Sequence, residues 1–453
     1  MNKTLNYILI TLLPLIFISC STKEIKKTPI VKTKIEKEIF VEPNYDIKDV
    51  KTISQNPADY KQNIKLLDKN KQHIFNQRFN IRYFKPWNLK RISSTKKDAT
   101  WAFLYQDKKI FGQNYRIIQQ KTIKDWIVNS NFKKFNSLKQ NAITIRNTNL
   151  RVFPTNKPMF LDPNIAGEGF PFDYNQNSAI KINQPIFISH FSKDKAWVFV
   201  ESNFTMGWIS VNDIAFVDKV IINIFKKSKY YIATTDNFAI YTKNAFKDYV
   251  KLGTIFPKSR NNKYLIVNRY DNLNGYISTV KIKAKNIAKK PILFTPSNAT
   301  KIASELINEP YGWGGLFNTR DCSSMTRDFF SVFGIYLERN SAGQILNGKY
   351  ISFKNKTNKQ KKKLIIKSGK PFMSLIYLKG HVMLYIGAKD NEPLVFHDTW
   401  GIKTNEKNGK NGRHIIGKSV ITSLEPGKEL KKRYNPLNSL LNKAQGIIIL
   451  DEK

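Results

Sequence analysis

The chain has 453 residues, about three times the ~150 of a typical single domain, so several modules are expected. Apolar residues make up 41% and aromatic residues 13%, which is enough for packed cores and excludes a globally disordered chain. Lys and Arg outnumber Asp and Glu by 76 to 34, a net charge of +42 that draws the protein toward polyanions or anionic surfaces without naming one. The 2 cysteines, Cys20 and Cys322, exclude a disulfide scaffold.

At the start, Met1 to Lys3 is basic, Leu5 to Ile18 is nearly continuous apolar sequence, and Ile18-Ser19-Cys20 puts a small residue before a cysteine. The run is short for a membrane span. It resembles a bacterial lipoprotein signal, with Phe17 in place of the usual Leu. That resemblance implies export, lipidation of Cys20, and an anchored protein facing the periplasm. An ordinary signal peptide with an incidental cysteine is the alternative. Residues 1–19 are thus assigned to a signal peptide and 20–50, rich in Lys and Glu, to a solvated tether. Export makes a nucleic-acid partner improbable despite the charge.

Residues 51–140 mix a helical pattern (Ala58, Tyr60, Ile64, Leu66, Leu67, Ile74, Phe75) with aromatic clusters at Tyr83-Phe84 and Trp87, and read as a helical region that wraps its neighbours. Residues 141–219 change to short β-type runs broken by Pro, Asn, Asp and Gly, the pattern of a small barrel. Residues 220–288 repeat that pattern, and Gly207-Trp208-Ile209 and Gly275-Tyr276-Ile277 fall at comparable late positions. Trp197, Trp208 and Tyr276 are expected in the cores, whereas Tyr174 sits in a polar loop where a binding role is open. Arg151-Val152-Phe153-Pro154-Thr155, Phe172-Asp173-Tyr174 and Trp197 to Ile209 are similar to the first SH3 domain of multi-domain cell-wall peptidases. Two SH3-like barrels are expected on that ground.

Residues 289–453 carry the chemistry. A helical run from about Asn298 ends near Pro310, and Tyr311-Gly312-Trp313-Gly314-Gly315 leads to Asp321-Cys322-Ser323-Ser324. Met325, Phe329, Val332 and Phe333 then form the apolar stripe of a helix stopped by Gly334, so Cys322 stands at a helix N-terminus. There the dipole and free N–H groups favour a thiolate and could cradle an oxyanion, although a buried structural cysteine fits the same placement. A base must come from 5 histidines: His73, His190, His381, His397 and His414. His381 to Gly387 and Leu394 to Asp398 are β-type runs around a turn. Pairing Ile386 with Leu394 opposes Met383 to His397 and sets His381 diagonally across on the same face. One histidine can then act as base while the other orients it.

The order and spacing of Tyr311 to Gly315, Asp321 to Ser324, Gly334-Ile335, Ser341, Gln344 and Gly380-His381-Val382 resemble the NlpC/P60 cysteine peptidases of bacterial walls. The resemblance implies a multi-domain protein: a papain-like α+β catalytic domain, preceded by the two SH3-like barrels and the helical N-terminal region. It implies a triad of Cys322, His381 and His397, with no metal or cofactor. It further implies a γ-D-glutamyl-L-diamino-acid endopeptidase acting on peptidoglycan stem peptides with a free N-terminal L-Ala. Asp321 and Ser323 would hold the amine, and Tyr311, Trp313 and Tyr174 would line the substrate cleft. Asp321 alone also reads as a helix cap. Ser324 departs from the family's usual Gly. A monomer is expected. A non-catalytic wall-binding lipoprotein and a cysteine amidase or acyltransferase are the competing functions. The basic runs Lys354 to Lys367 and Lys403 to Lys432 read as a solvated loop and as an insertion before a last strand, Gly446 to Leu450.

Overall fold

The computed structural model describes residues 46–405 and 411–452, so the expectations placed on residues 1–45, Cys20 included, lie outside the described residues. The N-terminal region carries helices α1 (Lys48–Thr52), α2 (Lys69–Tyr83), α3 (Lys96–Ala99) and α4 (Gln120–Asn129). The expected helix from Ala58 onward is confined to a single 3₁₀ turn, Pro57–Tyr60. The longer helix starts only at Lys69, where the Asp68 side chain accepts from the Asn70 and Lys71 N–H groups. The region does wrap. Gln72 donates to the Ile292 and Phe333 carbonyls at 2.7 and 2.9 Å, Trp87 donates to the Ala142 carbonyl at 2.8 Å, and Gln55 donates to Ile421 at 2.9 Å.

The first β module is one antiparallel sheet of strands β1 (Gln140–Thr144), β2 (Thr148–Arg151), β3 (Gln176–Ile180), β4 (Pro185–Phe191), β5 (Trp197–Glu201), β6 (Met206–Ser210) and β7 (Ile214–Phe216), in the order β3-β2-β6-β5-β4-β1-β7. Trp197 and Trp208 are buried as expected, the latter against Phe199 and His190. After α5 (Lys219–Lys227), the second β module is three small sheets. Strands β8 (Tyr230–Ala233), β11 (Ile255–Pro257) and β14 (Ile287–Lys289) make one. Strands β9 (Phe238–Thr242) and β10 (Ala245–Val250) make another, and β12 (Lys263–Arg269) pairs with β13 (Gly275–Lys281). Here Tyr276 departs from the expectation: it is 38% exposed and packs beside Tyr270 with ring centroids 4.7 Å apart.

The catalytic region packs helices α6 (Pro296–Ser304), α7 (Cys322–Val332) and α8 (Ser341–Gln344) with a six-stranded antiparallel sheet. The sheet order is β15 (Lys349–Ser352), β20 (Gly446–Ile449), β16 (Ser374–Leu378), β17 (His381–Lys389), β18 (Glu392–Asn405), β19 (Asn411–Ser423). Met325, Phe329 and Phe330 of α7 share one core with Val382, Leu384, Ile386 and Phe396. The basic run expected as a solvated loop is instead helix α9 (Asn358–Ser368), started by a capping box between Thr357 and Gln360. Leu364 and Ile365 pack with Met383 and Val395 on the sheet, and Lys361 is buried, donating to the Leu441 and Asn442 carbonyls. The second basic run is largely the β18–β19 hairpin, followed by 3₁₀ turns and α10 (Leu440–Lys443).

Candidate active site

Helix α7 begins where the sequence places it. Asp321 is the cap: its carboxylate accepts from the Ser324 N–H at 2.8 Å, while the Ser324 hydroxyl accepts from the Asp321 N–H at 2.9 Å. The serine at the family's glycine position therefore closes a capping box. The preceding loop is pressed onto the first β module. Gly314 and Gly315 have φ of +61° and +77°, and a Cβ on either would lie 2.8 or 2.7 Å from Gln176 or Ala179 of β3. The Gly-Gly pair is what lets the catalytic loop lie directly on β3.

Cys322 is 8% exposed, packs in one core with Val382 of β17, and lines one cleft with His381 and His397. The hairpin register agrees with expectation at Leu384 opposite Phe396 and Tyr385 opposite Val395. A bulge at Ile386 then sets Leu394 opposite Gly387 rather than Ile386. The bulge lies on the turn side, so the histidines still meet: His381 Nε2 and His397 Nδ1 are 2.9 Å apart. His397 Nε2 is 3.0 Å from Thr422 Oγ1, and that hydroxyl donates to the Ser423 carbonyl at 2.7 Å. With its single hydrogen so used, Thr422 accepts from His397 Nε2–H. Nδ1 of His397 must then accept from His381 Nε2–H, and Nδ1 of His381 is left as the lone-pair nitrogen. Thr422 carried no signal in sequence, since only the β18–β19 register places it there.

Burial sets the charge states. The Cys322 thiol is pushed up to about 12 by burial and by the Asp321 carboxylate, against the thiolate expected from its helix position. Burial lowers His381 to about 4 and holds His397 well below the ordinary imidazole value, with His381 adding to the effect. The resting pair is neutral thiol and neutral imidazole. Tyr311 is held well above its usual value by burial and by the neighbouring Cys322, so its hydroxyl keeps its proton.

Two adjoining clefts meet at Cys322. One, of about 380 Å³, is lined by His381, His397, Trp400, Tyr311, Trp313 and Tyr174 among others; the second contains Asp321, Ser323 and Arg339 and shares Tyr311, Trp313 and Tyr174. Every catalytic and substrate-binding residue expected from the described sequence is therefore at one place. Trp313 packs on Phe172 and Tyr174 with centroids 5.3 and 5.8 Å apart, and the Tyr174 hydroxyl donates to Glu168 at 3.0 Å. Arg339, absent from the sequence reading, donates to both Asp321 oxygens at 3.1 and 2.8 Å, to Ser323 at 3.0 Å and to Ser178 of β3 at 2.6 Å. The Asp321 carboxylate, kept below the usual range chiefly by Arg339 against the cost of its burial, is thus already paired. The other histidines lie elsewhere. His190 is a satisfied core residue between Ser189 and the Ser130 carbonyl, His73 is exposed beside Gln77, and His414 is on β19.

Residues 308–413 match the NlpC/P60 family, residues 158–210 match an SH3 domain of the SH3b1 type, and residues 9–135 match the N-terminal NlpC/P60 stabilising domain. No curated protein matches the chain. Among solved structures, an NlpC/P60 endopeptidase from Photobacterium damselae subsp. piscicida is 25% identical with a TM-score of 0.81, over 88% of this chain and 98% of that one. An NlpC/P60 family protein from Bacillus cereus ATCC 10987 is 15% identical with a TM-score of 0.45, over 68% of this chain and 98% of that one. The chain carries an NlpC/P60 domain joined to an SH3 domain and a helical N-terminal region.

Proposed function

We propose that this NlpC/P60 domain is the catalytic unit of a cell-wall cysteine endopeptidase. Its bond is the γ-D-glutamyl-L-diamino-acid linkage of peptidoglycan stem peptides, cut in peptides with a free N-terminal L-Ala. The observation that carries the reading is a buried thiol in one cleft with a hydrogen-bonded histidine pair whose outer nitrogen is unprotonated. His381 Nδ1 takes the Cys322 proton as sulfur attacks the γ-glutamyl carbonyl carbon, so proton transfer and bond formation are coupled and no resting thiolate is needed. The Cys322 and Ser323 N–H groups, left over when Asp321 caps Ser324 and Met325, and the protonated Tyr311 hydroxyl receive the oxyanion. Collapse breaks the C–N bond and the leaving amine takes the proton from His381. Water, deprotonated by the same nitrogen, then opens the thioester and restores the thiol.

The substrate amine lies against Ser323 and Asp321. Because Arg339 already neutralises Asp321, the Tyr174–Glu168 pair supplies the carboxylate that balances it. The protein acts from a membrane anchor at Cys20, facing the periplasm; incorporation of labelled palmitate that survives Cys20→Ala would refute the anchor. The function is tested by mass spectrometry of products from free murein peptides and from intact sacculus, with Cys322→Ala beside the unmutated chain. Release of L-Ala-D-Glu by the unmutated chain alone is expected. Absence of cleavage would leave wall binding or an amidase or acyltransferase chemistry in its place.

A further inference from the structure

The cleft that contains His381 and His397 has a charge pattern the mechanism does not use. Among its described lining residues are Lys379, Lys403, Arg413 and Lys443, and no Asp or Glu. Surface lysines alone would signify nothing in a chain of this charge. Three facts distinguish these. They line one concave wall beside the reacting sulfur, brought there from separate elements: the β16–β17 turn, both arms of the β18–β19 hairpin, and α10. The Arg413 Nε is buried with no hydrogen-bond partner among the described residues, so a donor has been desolvated without compensation. Lys443 is lowered by its own desolvation and by the charges of Lys403 and Arg413, which face each other across the β18–β19 ladder. The Glu168 carboxylate, which accepts from the Tyr174 hydroxyl, also acts on Arg413.

We propose that Arg413, Lys403 and Lys443 form a subsite for a free carboxylate on the leaving-group residue of the substrate peptide. The assignment of sides rests on the proposed function: with the substrate amine at Ser323 and Tyr174, the acyl half fills the cleft containing Asp321, and the diamino acid extends past His381 into the cationic half. Trp400, packed against Phe172 and Tyr311 with centroids 6.3 and 6.1 Å away, gives that half an apolar floor. A carboxylate arriving there meets the Arg413 guanidinium and two ammonium groups, and its charge offsets the effect of Lys403 and Arg413 on Lys443.

The test uses the purified full chain and two peptides with the same scissile bond, L-Ala-γ-D-Glu-L-Lys and its C-terminal lysinamide. The acid is expected to have a KM lower by about tenfold or more, with kcat much less affected, as for an ionic contact made equally in ground and transition states. Lys443→Gln, an exposed position that leaves packing intact, together with Lys403→Gln and Arg413→Gln, should bring the acid-to-amide ratio of kcat/KM toward one, while Lys443→Arg keeps it. The ratio does not depend on how much of a variant is folded. Equal KM for acid and amide in the unmutated chain, or a ratio preserved in all three Gln variants, would overturn the subsite while leaving the peptidase intact. Cleavage of neither peptide would overturn the proposed function, and the subsite with it.

Discussion

Cys322 and His381 rest neutral because the first is buried and the second half-buried and desolvated, and this decides how the site responds to pH. A thiolate–imidazolium pair would lose activity as its histidine deprotonates. A general base loses activity as its histidine protonates. His381 is lowered to about 4, so it remains an unprotonated base through the acidic range, and Cys322 remains a thiol up to about 12. The acid limb of kcat/KM is therefore expected near pH 4, more than two units below an unperturbed histidine at about 6.5, with a plateau through neutral pH. An acid limb at pH 6 to 7 in a pH–rate profile would show that substrate or solvent restores an ordinary environment to the ring. The sign for folding agrees. A lowered His381 contributes stability that is present above its unfolded value of about 6.5 and lost as pH falls toward 4. Asp398 runs the other way: both oxygens are buried without a partner among the described residues, and Glu309 and Asp321 add to burial in holding it well above the carboxylate range. It favours the fold at low pH, so activity, rather than stability, isolates His381.

Helix α7 shows why the site was legible from sequence and where legibility stopped. A helix start and its apolar stripe are local, and so were Cys322, Asp321 and Gly334 read correctly. Strand alternation is local too, which put His381 and His397 on one face. The Ile386 bulge, the Thr422 acceptor and the Arg339–Asp321 pair depend on register or on residues distant in sequence, and no period encodes them. The run Lys354 to Lys367 departs from the expected loop for a related reason: five lysines among the eleven residues of α9 mask the Leu364-Ile365 pair that docks it on the sheet. Tyr276 looked like core because Trp208 at the comparable position is core, yet the second module is three small sheets and leaves that face open. Ser324 gives this scale its prediction. Ser324→Ala removes the hydroxyl that accepts from the Asp321 N–H and should cost about 1 kcal/mol in urea unfolding. Ser324→Gly, the family's usual residue, should cost roughly a further 1 kcal/mol from its weaker helix propensity. Equal stability of all three proteins would mean the capping box contributes nothing here.

At the scale of the whole molecule, one buried ion network ties the catalytic region to both β modules. Arg320 donates to Asp328 of α7 at 2.8 Å, to Glu309 at 2.5 Å and to Asp236 of the second β module at 2.8 Å. Lys251, also of that module, reaches Asp236 and Glu309 at 2.5 and 2.9 Å, and Lys181 beside β3 reaches Asp328 at 2.6 Å. Such a network is weak evidence of net stability, because three cations and three carboxylates were all desolvated to build it. Removing its centre is a different matter. In Arg320→Met, Asp236, Glu309 and Asp328 share only Lys251 and Lys181, and the uncompensated buried charge should cost roughly 3 to 5 kcal/mol in guanidinium-free urea unfolding. Salt separates this buried effect from the surface. The net charge of +42 makes the folded chain repel itself, so raising salt from 0.05 to about 0.5 M, where the screening length falls from roughly 14 to 4 Å, should stabilise the unmutated protein. The network is shielded from those ions, so the difference between Arg320→Met and the unmutated protein should be nearly the same at both salt concentrations. A difference that shrinks in salt would place the network's charges in contact with solvent, and the modules would then be joined by apolar packing alone.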